Sequence, residues 1–187
     1  MDGTIIKTKS GAISTTKSDT ITHTAPGNTF PSNERDWIFF NPLVPPTLRR
    51  LHATGHTLVI FSNQGMPPLT STTAFPFLTP LPGGFSKSNP FTGRGQATMS
   101  KIDCFTQQLQ LPLTVYLATA RDGNRKPAAG MLRLFNEFRG SDQLHPDSFF
   151  CGDAAGRPND HSADDRGFAA AAGLKFVVPE EMFIEEL

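Results

Sequence analysis

The stretch Phe149-Phe150-Cys151-Gly152-Asp153-Ala154-Ala155-Gly156-Arg157-Pro158 decides the fold of this chain. An apolar run ends at a glycine and a carboxylate, and a loop of small residues follows. A buried parallel strand delivers an acidic side chain to the edge of an α/β sheet in this way. We therefore predict that Asp153 follows a strand and binds a metal ion, with a helix cap as the simpler structural interpretation.

Three other fragments carry polar side chains beside a predicted strand end or loop. They are Asp2-Gly3-Thr4, Phe61-Ser62-Asn63-Gln64 and Arg125-Lys126-Pro127. Along the chain the order of groups is acid, hydroxyl, lysine and acid. Each fragment alone has a structural explanation, because Asp-Gly is a common turn pair and serine often caps a turn.

Apolar runs and helical periodicity alternate along the chain. Strands are predicted at 58–61, 113–118, 148–151 and 175–178, and helices at 42–55, 101–110, 128–138 and 165–172. Residues 5–35, rich in Thr, Ser, Lys and Gly, are predicted to form an extended flap or hairpin. Alternating strands and helices favour a parallel sheet with helices on both faces.

These fragments together resemble the 3′-phosphatase domain of the polynucleotide kinase 3′-phosphatases, in the haloacid-dehalogenase-like superfamily. The narrowest part of the match is Gly152 to Pro158 followed by Asp160-His161-Ser162 and Asp165-Arg166. The resemblance covers 1–64 and 93–187. It implies one domain over residues 1–187, with a three-layer Rossmann-like haloacid-dehalogenase fold built on a parallel sheet.

The resemblance also implies a function. It predicts Mg²⁺-dependent removal of the 3′-phosphate from DNA ends during strand-break repair in the nucleus. The expected partners are DNA 3′-phosphate ends and repair-complex proteins, with no membrane and a monomeric protein. A phosphatase for a small sugar or histidinol phosphate is the alternative within the same superfamily.

The resemblance assigns roles to individual residues. Asp2 would protonate the leaving sugar oxygen, activate water and offer its carbonyl to Mg²⁺. Ser62 would bind a phosphoryl oxygen, Lys126 would balance negative charge, and Asp153 would ligate Mg²⁺. Asp165 would not bind the metal itself but would support the groups that hold it. The residues expected to contact substrate are Asn63, Lys9, Arg125 and Arg157.

The nucleophile of this family does not occur in the printed sequence. The family motif is an apolar strand followed by Asp-x-Asp-Gly-Thr, in which the first aspartate attacks phosphorus. Met1 occupies the x position and Asp2 the second aspartate. We therefore expect residues 1–187 to lack the first strand and to be inactive and poorly folded by themselves. A misassigned start or lost first exon and a catalytically dead, end-binding remnant both remain open.

Residues 66–92 do not fit the family pattern. Prolines recur there too often for a helix or a central strand, and irregular loops of this length are uncommon in compact domains. A disordered insertion and a translated intron are both compatible with this composition.

Composition narrows the function further. Seventeen basic and 17 acidic residues give a formal net charge of zero. This argues against a protein that binds duplex DNA through many phosphates. Cys104 and Cys151 make no disulfide framework, and no signal peptide or long apolar run is apparent. These features favour a reducing intracellular compartment. The chain also contains no P-loop motif, and so no 5′-kinase signature.

Overall fold

A computed structural model of the protein describes residues 3–7, 35–64, 76–79 and 94–184. The predictions for Asp2, for Lys9 and the rest of 8–34, and for 66–92 apart from 76–79 lie outside these ranges. Within them the fold is mixed α/β with short parallel sheets. No described helix has both the length and the apolar character that crossing a membrane requires.

The central ladder of the described residues pairs β3 (Leu58–Asn63) with β5 (Leu113–Ala118) in parallel. Every residue of β5 is buried, as expected for a parallel strand covered on both faces. The register places Asn63 opposite Ala118, so the carboxyl ends of both strands reach the same edge. Both strands confirm the predicted apolar runs.

A short edge strand, β4 (Pro76–Thr79), pairs antiparallel with the other side of β5. It lies inside the segment whose prolines argued against a central strand. Proline is tolerated at a sheet edge, and the strand order β3-β5-β4 places β4 there.

Two smaller ladders flank this one. The strands β6 (Phe149–Cys151) and β7 (Lys175–Val177) are parallel. The strands β1 (Ile6–Lys7) and β2 (Ile38–Phe39) are antiparallel. The strand β1 lies inside the predicted flap or hairpin of residues 5–35, whereas β2 lies after it. Because 8–34 lie outside the described residues, the flap or hairpin stays a prediction.

Helices pack on both faces of the β3–β5 ladder. Val115 and Leu117 face a cluster with α1 (Val44–Ala53) and α2 (Arg94–Leu109). Tyr116 and Ala118 alternate with them and face α3 (Gly130–Arg139) and α4 (Asp164–Ala172). The predicted helices are confirmed, although α2 begins at Arg94 rather than near residue 101. A further short helix, α5 (Pro179–Met182), was not predicted.

The predicted single parallel sheet differs from what the described residues show. Their strands form three separate ladders, and β3 and β6 are not paired. A cavity of about 500 Å³ is lined by both, through residues 58–61 of β3 and 149–151 of β6. Thr4 and Ile5 also line it. This cavity therefore lies along β3 and β6 and reaches Thr4 near the amino terminus of the chain.

Candidate active site

The end of β3 holds the loop that carries Lys126. The Asn63 side-chain amide donates to the Lys126 carbonyl at 3.0 Å, and the Lys126 N–H donates to Asn63 Oδ1 at 2.9 Å. This reciprocal pair fixes the Lys126 backbone against the strand. Asn63 was predicted to contact substrate, and the structure places its amide on the protein backbone.

Lys126 and Asp165 form a buried ion pair. The Lys126 Nζ lies 2.5 Å from Asp165 Oδ1, and the two side chains are 8% and 5% exposed. The other carboxylate oxygen, Oδ2, accepts the Ala154 N–H at 3.0 Å. Burial would raise the pKa of Asp165, but the Lys126 ammonium and these hydrogen bonds lower it below its usual value. Asp165 therefore links the lysine loop to the loop after β6.

Asp153 meets the described N-terminal residues. The Thr4 hydroxyl donates to Asp153 Oδ1 at 2.7 Å. Gly3 has a φ of +81°, and a Cβ at that position would collide with the Asp153 carboxylate. A glycine is therefore required here for both conformation and space. Asp2 precedes Gly3 but lies outside the described residues.

Ser62 lies one residue before the end of β3 and is buried. Its Oγ accepts a hydrogen bond from Gln64 Nε2 at 2.8 Å. A hydroxyl has one proton to donate and two lone pairs. The contact with Gln64 uses a lone pair, so the Ser62 proton is left for another acceptor.

The Asp153 carboxylate and the Thr4 hydroxyl beside it are oxygen groups, which suit Mg²⁺ better than a softer metal. Within the described ranges, no three or more His, Cys, Asp or Glu side chains form a metal cluster. Mg²⁺ is commonly held by one or two carboxylates, with water and phosphate oxygens completing its shell. The half-buried Asp153 carboxylate suits that arrangement.

The loop after β6 holds Arg157, which was predicted to contact substrate. Its guanidinium donates to Asp160, to Glu180 Oε2 at 3.1 Å and to the Asp153 carbonyl at 3.2 Å. Arg125 is half-buried in the Lys126 loop. Lys9 lies outside the described residues, so its predicted role stays a prediction.

Sequence reasoning missed three contributors to this site. Thr4, Gln64 and Asp160 belong to the motifs described above, but no role is predicted for any of them from the sequence. The sequence signal for Asp160 is its position three residues after Arg157, a spacing that allows an ion pair within one loop. The resemblance places the Asp2-Gly3-Thr4 motif and Asp153 in one site, but no local pattern specifies the hydrogen bond between Thr4 and Asp153, which are 149 residues apart.

Comparison with known proteins agrees with the resemblance. A family model described as "Polynucleotide kinase 3 phosphatase" matches residues 1–183. The chain is 34% identical over 188 residues to a bifunctional polynucleotide phosphatase/kinase of Schizosaccharomyces pombe, covering 98% of this chain and 36% of that protein. It is 32% identical over 164 residues to the polynucleotide 3′-phosphatase ZDP of Arabidopsis thaliana, covering 79% of this chain and 21% of that protein.

A third relative is the polynucleotide 3′-phosphatase of Saccharomyces cerevisiae, 40% identical over 68 residues, which are 32% of this chain and 29% of that protein. The chain thus spans about a third or less of each of these three relatives. The family match, by contrast, runs through nearly the whole chain and includes every described site residue. The chain therefore belongs to the polynucleotide kinase 3 phosphatase family.

Proposed function

We propose that this domain removes the 3′-phosphate from DNA ends in a Mg²⁺-dependent reaction, as part of strand-break repair in the nucleus. The observation that carries the proposal is the linkage of three strand-end segments into one site. Asn63 holds Lys126, Lys126 pairs with Asp165, and Asp165 holds the loop of Asp153. The names of the relatives support a polynucleotide 3′-phosphate as the substrate.

The described side chains suit distinct tasks in phosphate ester hydrolysis. Ser62 would donate its hydroxyl proton to a phosphoryl oxygen, and the Lys126 ammonium would offset charge on the transferring group. Asp153 would hold Mg²⁺, which would further neutralise the phosphate oxygens. By the resemblance, Asp2 would give a proton to the leaving sugar oxygen and later take one from water.

The cavity beside β3 supports the expected three-layer Rossmann-like haloacid-dehalogenase fold, because one further strand placed there would join the β3 and β6 ladders into one sheet. The Asn63–Lys126–Asp165–Ala154 contacts join the carboxyl ends of β3 and β6 at one site. A strand between them and parallel to both would end beside Thr4 and Asp153. By the resemblance, that strand ends in the nucleophilic aspartate directly before Met1, so residues 1–187 alone would not turn over.

The test adds this strand. Residues 1–187 are preceded by about five β-branched apolar residues and Asp, in keeping with ordinary strand lengths. The matched control has the same extension ending in Asn. With Mg²⁺ and a 3′-phosphorylated oligonucleotide, we expect only the Asp version to release phosphate, by at least about 100-fold over the control, since the nucleophile is the sole difference.

Other outcomes would overturn the proposal. An Asp version that binds the oligonucleotide but releases no phosphate would indicate an end-binding remnant. If the oligonucleotide fails to compete with p-nitrophenyl phosphate for an active site, the substrate class is a small phosphate ester instead.

A further inference from the structure

Several backbone polar groups of the loop that follows β6 are hydrogen-bonded within the protein. The Ala155 and Arg157 N–H groups both donate to Asp160 Oδ2, each at 3.0 Å. The Ala155 carbonyl accepts from Arg166 Nε at 2.7 Å, and the Gly156 N–H donates to the Ser162 carbonyl. Hydrogen bonds of this kind between backbone groups and fixed partners hold a loop in one conformation.

Arg157 connects this loop to a separate element. Its Nε donates to both carboxylate oxygens of Asp160, at 3.0 and 2.9 Å. One terminal nitrogen reaches Glu180 in α5, and the other reaches the carbonyl of Asp153 itself. The planar guanidinium is suited to several simultaneous contacts of fixed direction. The pairing with Arg157 lowers the pKa of Asp160 to about 2, so the contact persists across ordinary pH.

We infer that Arg157, Asp160 and Glu180 form a clasp that positions Asp153 for the metal, and that Arg157 is a positioning residue rather than a DNA contact. The inference rests on the proposed function for the role of Asp153. Arg157 is already paired with two carboxylates. A DNA phosphate would therefore have to displace one of these partners.

The first measurement is amide hydrogen exchange, which needs neither metal nor turnover. In residues 1–187, Asp160→Ala removes the acceptor for the Arg157 N–H. The Ala155 N–H keeps a second acceptor, the Asp153 carbonyl at 2.9 Å. We expect exchange at the Arg157 amide to accelerate by about tenfold or more. The Ala154 N–H serves as an internal control, because it donates to Asp165 instead.

The second measurement is Mg²⁺ affinity by calorimetry, with Arg157→Gln, Arg157→Lys and Asp160→Ala. Loss of partners that orient a metal ligand weakens metal binding by about 10–100-fold, so we expect about tenfold here. Because the residues act as one unit, the Arg157→Gln/Asp160→Ala double variant should be little weaker than either single variant. Arg133→Gln, at an exposed arginine on α3, is the matched control and should leave Mg²⁺ affinity unchanged.

Binding of a 3′-phosphorylated oligonucleotide in chelator separates the clasp from a DNA contact. The clasp predicts that Arg157→Gln changes this affinity by less than about twofold. A large loss of oligonucleotide binding with Mg²⁺ affinity unchanged would overturn the inference. If the unsubstituted chain binds no Mg²⁺, the proposed metal role fails, and unchanged exchange at the Arg157 amide in Asp160→Ala would separately overturn the clasp. Should Arg157→Gln not fold, Arg157→Lys and Asp160→Ala carry the same tests.

Discussion

Lys126 and Asp165 carry opposite charges in a part of the protein that water hardly reaches. Removing one member of a buried pair leaves the other charge without compensation, which costs about 3–5 kcal/mol. We therefore expect Lys126→Met to lower the free energy of unfolding by about 3 kcal/mol or more in urea titrations near neutral pH. The Lys126→Met/Asp165→Asn double variant should recover part of that loss. A single-variant loss below about 1 kcal/mol would mean that water solvates the pair.

Asp165 also gives stability a definite dependence on pH. Its pKa is lowered in the folded protein, relative to about 3.9 when unfolded. Its contribution is therefore complete above about pH 4 and is lost as the pH falls through the lowered pKa. Unfolding free energies of the unsubstituted chain and Asp165→Asn should differ by a constant amount from about pH 7 to pH 5, and converge below about pH 4. Convergence already above pH 5 would contradict this assignment.

At the residue level, the sequence indicated where polar side chains lie relative to the strands better than it indicated their partners. Ser62 and Asp153 were placed correctly beside strand ends, because an apolar run that stops at a polar residue marks such an end. The partner of Lys126 is 39 residues away, and no local pattern encodes that distance. Arg157 is the clearest case. Its positive charge suits a DNA phosphate and a carboxylate equally well, and the structure pairs it with carboxylates.

At the level of elements, prediction succeeded where a pattern was long. The mostly apolar run of β5 predicted a buried strand, and every residue of β5 is buried. In α3 the apolar spacing indicates a helix, and Met131 and Phe135 are buried, but Phe138 is 61% exposed and does not share their buried face. The start of α2 was missed because Gly95 is a weak helix former, close to the irregular segment. The four residues of α5 are too few to show any period.

The helix that carries Asp165 ends at Gly173, which has a φ of +67°. A Cβ there would meet no atom within 4 Å, so substitution acts through the backbone alone. Gly173→Ala should destabilise the protein by about 1 kcal/mol, because L-residues disfavour this left-handed conformation. Gly173→Asn should cost less, since asparagine tolerates it better. Urea titration measures both, and equal stability of all three would show that α4 ends differently in solution.

At the level of the whole molecule, periodicity finds strands but not their order. The alternation of strands and helices led to the expectation of one sheet, whereas the described strands form three ladders. The strands β3 and β6 belong to different ladders, and both line one cavity. Among the described strands, each of the two is paired on one side alone, and buried backbone groups without a partner strongly favour pairing.

A strand placed in this cavity should stabilise the whole molecule, independently of catalysis. Each buried apolar side chain contributes about 1.5–3 kcal/mol, against about 1–2 kcal/mol for ordering each residue. Backbone hydrogen bonds from the added strand to both β3 and β6 would stabilise the protein further. We therefore expect the apolar extension ending in Asn to raise the free energy of unfolding of residues 1–187 by about 3 kcal/mol. It should also slow amide exchange in β3 and β6. An extension of equal length made of Ser, Gly and Lys is the control. If both extensions have the same effect on urea unfolding, the cavity does not accept a strand, and the aspartate proposed to precede Met1 has no place in this site.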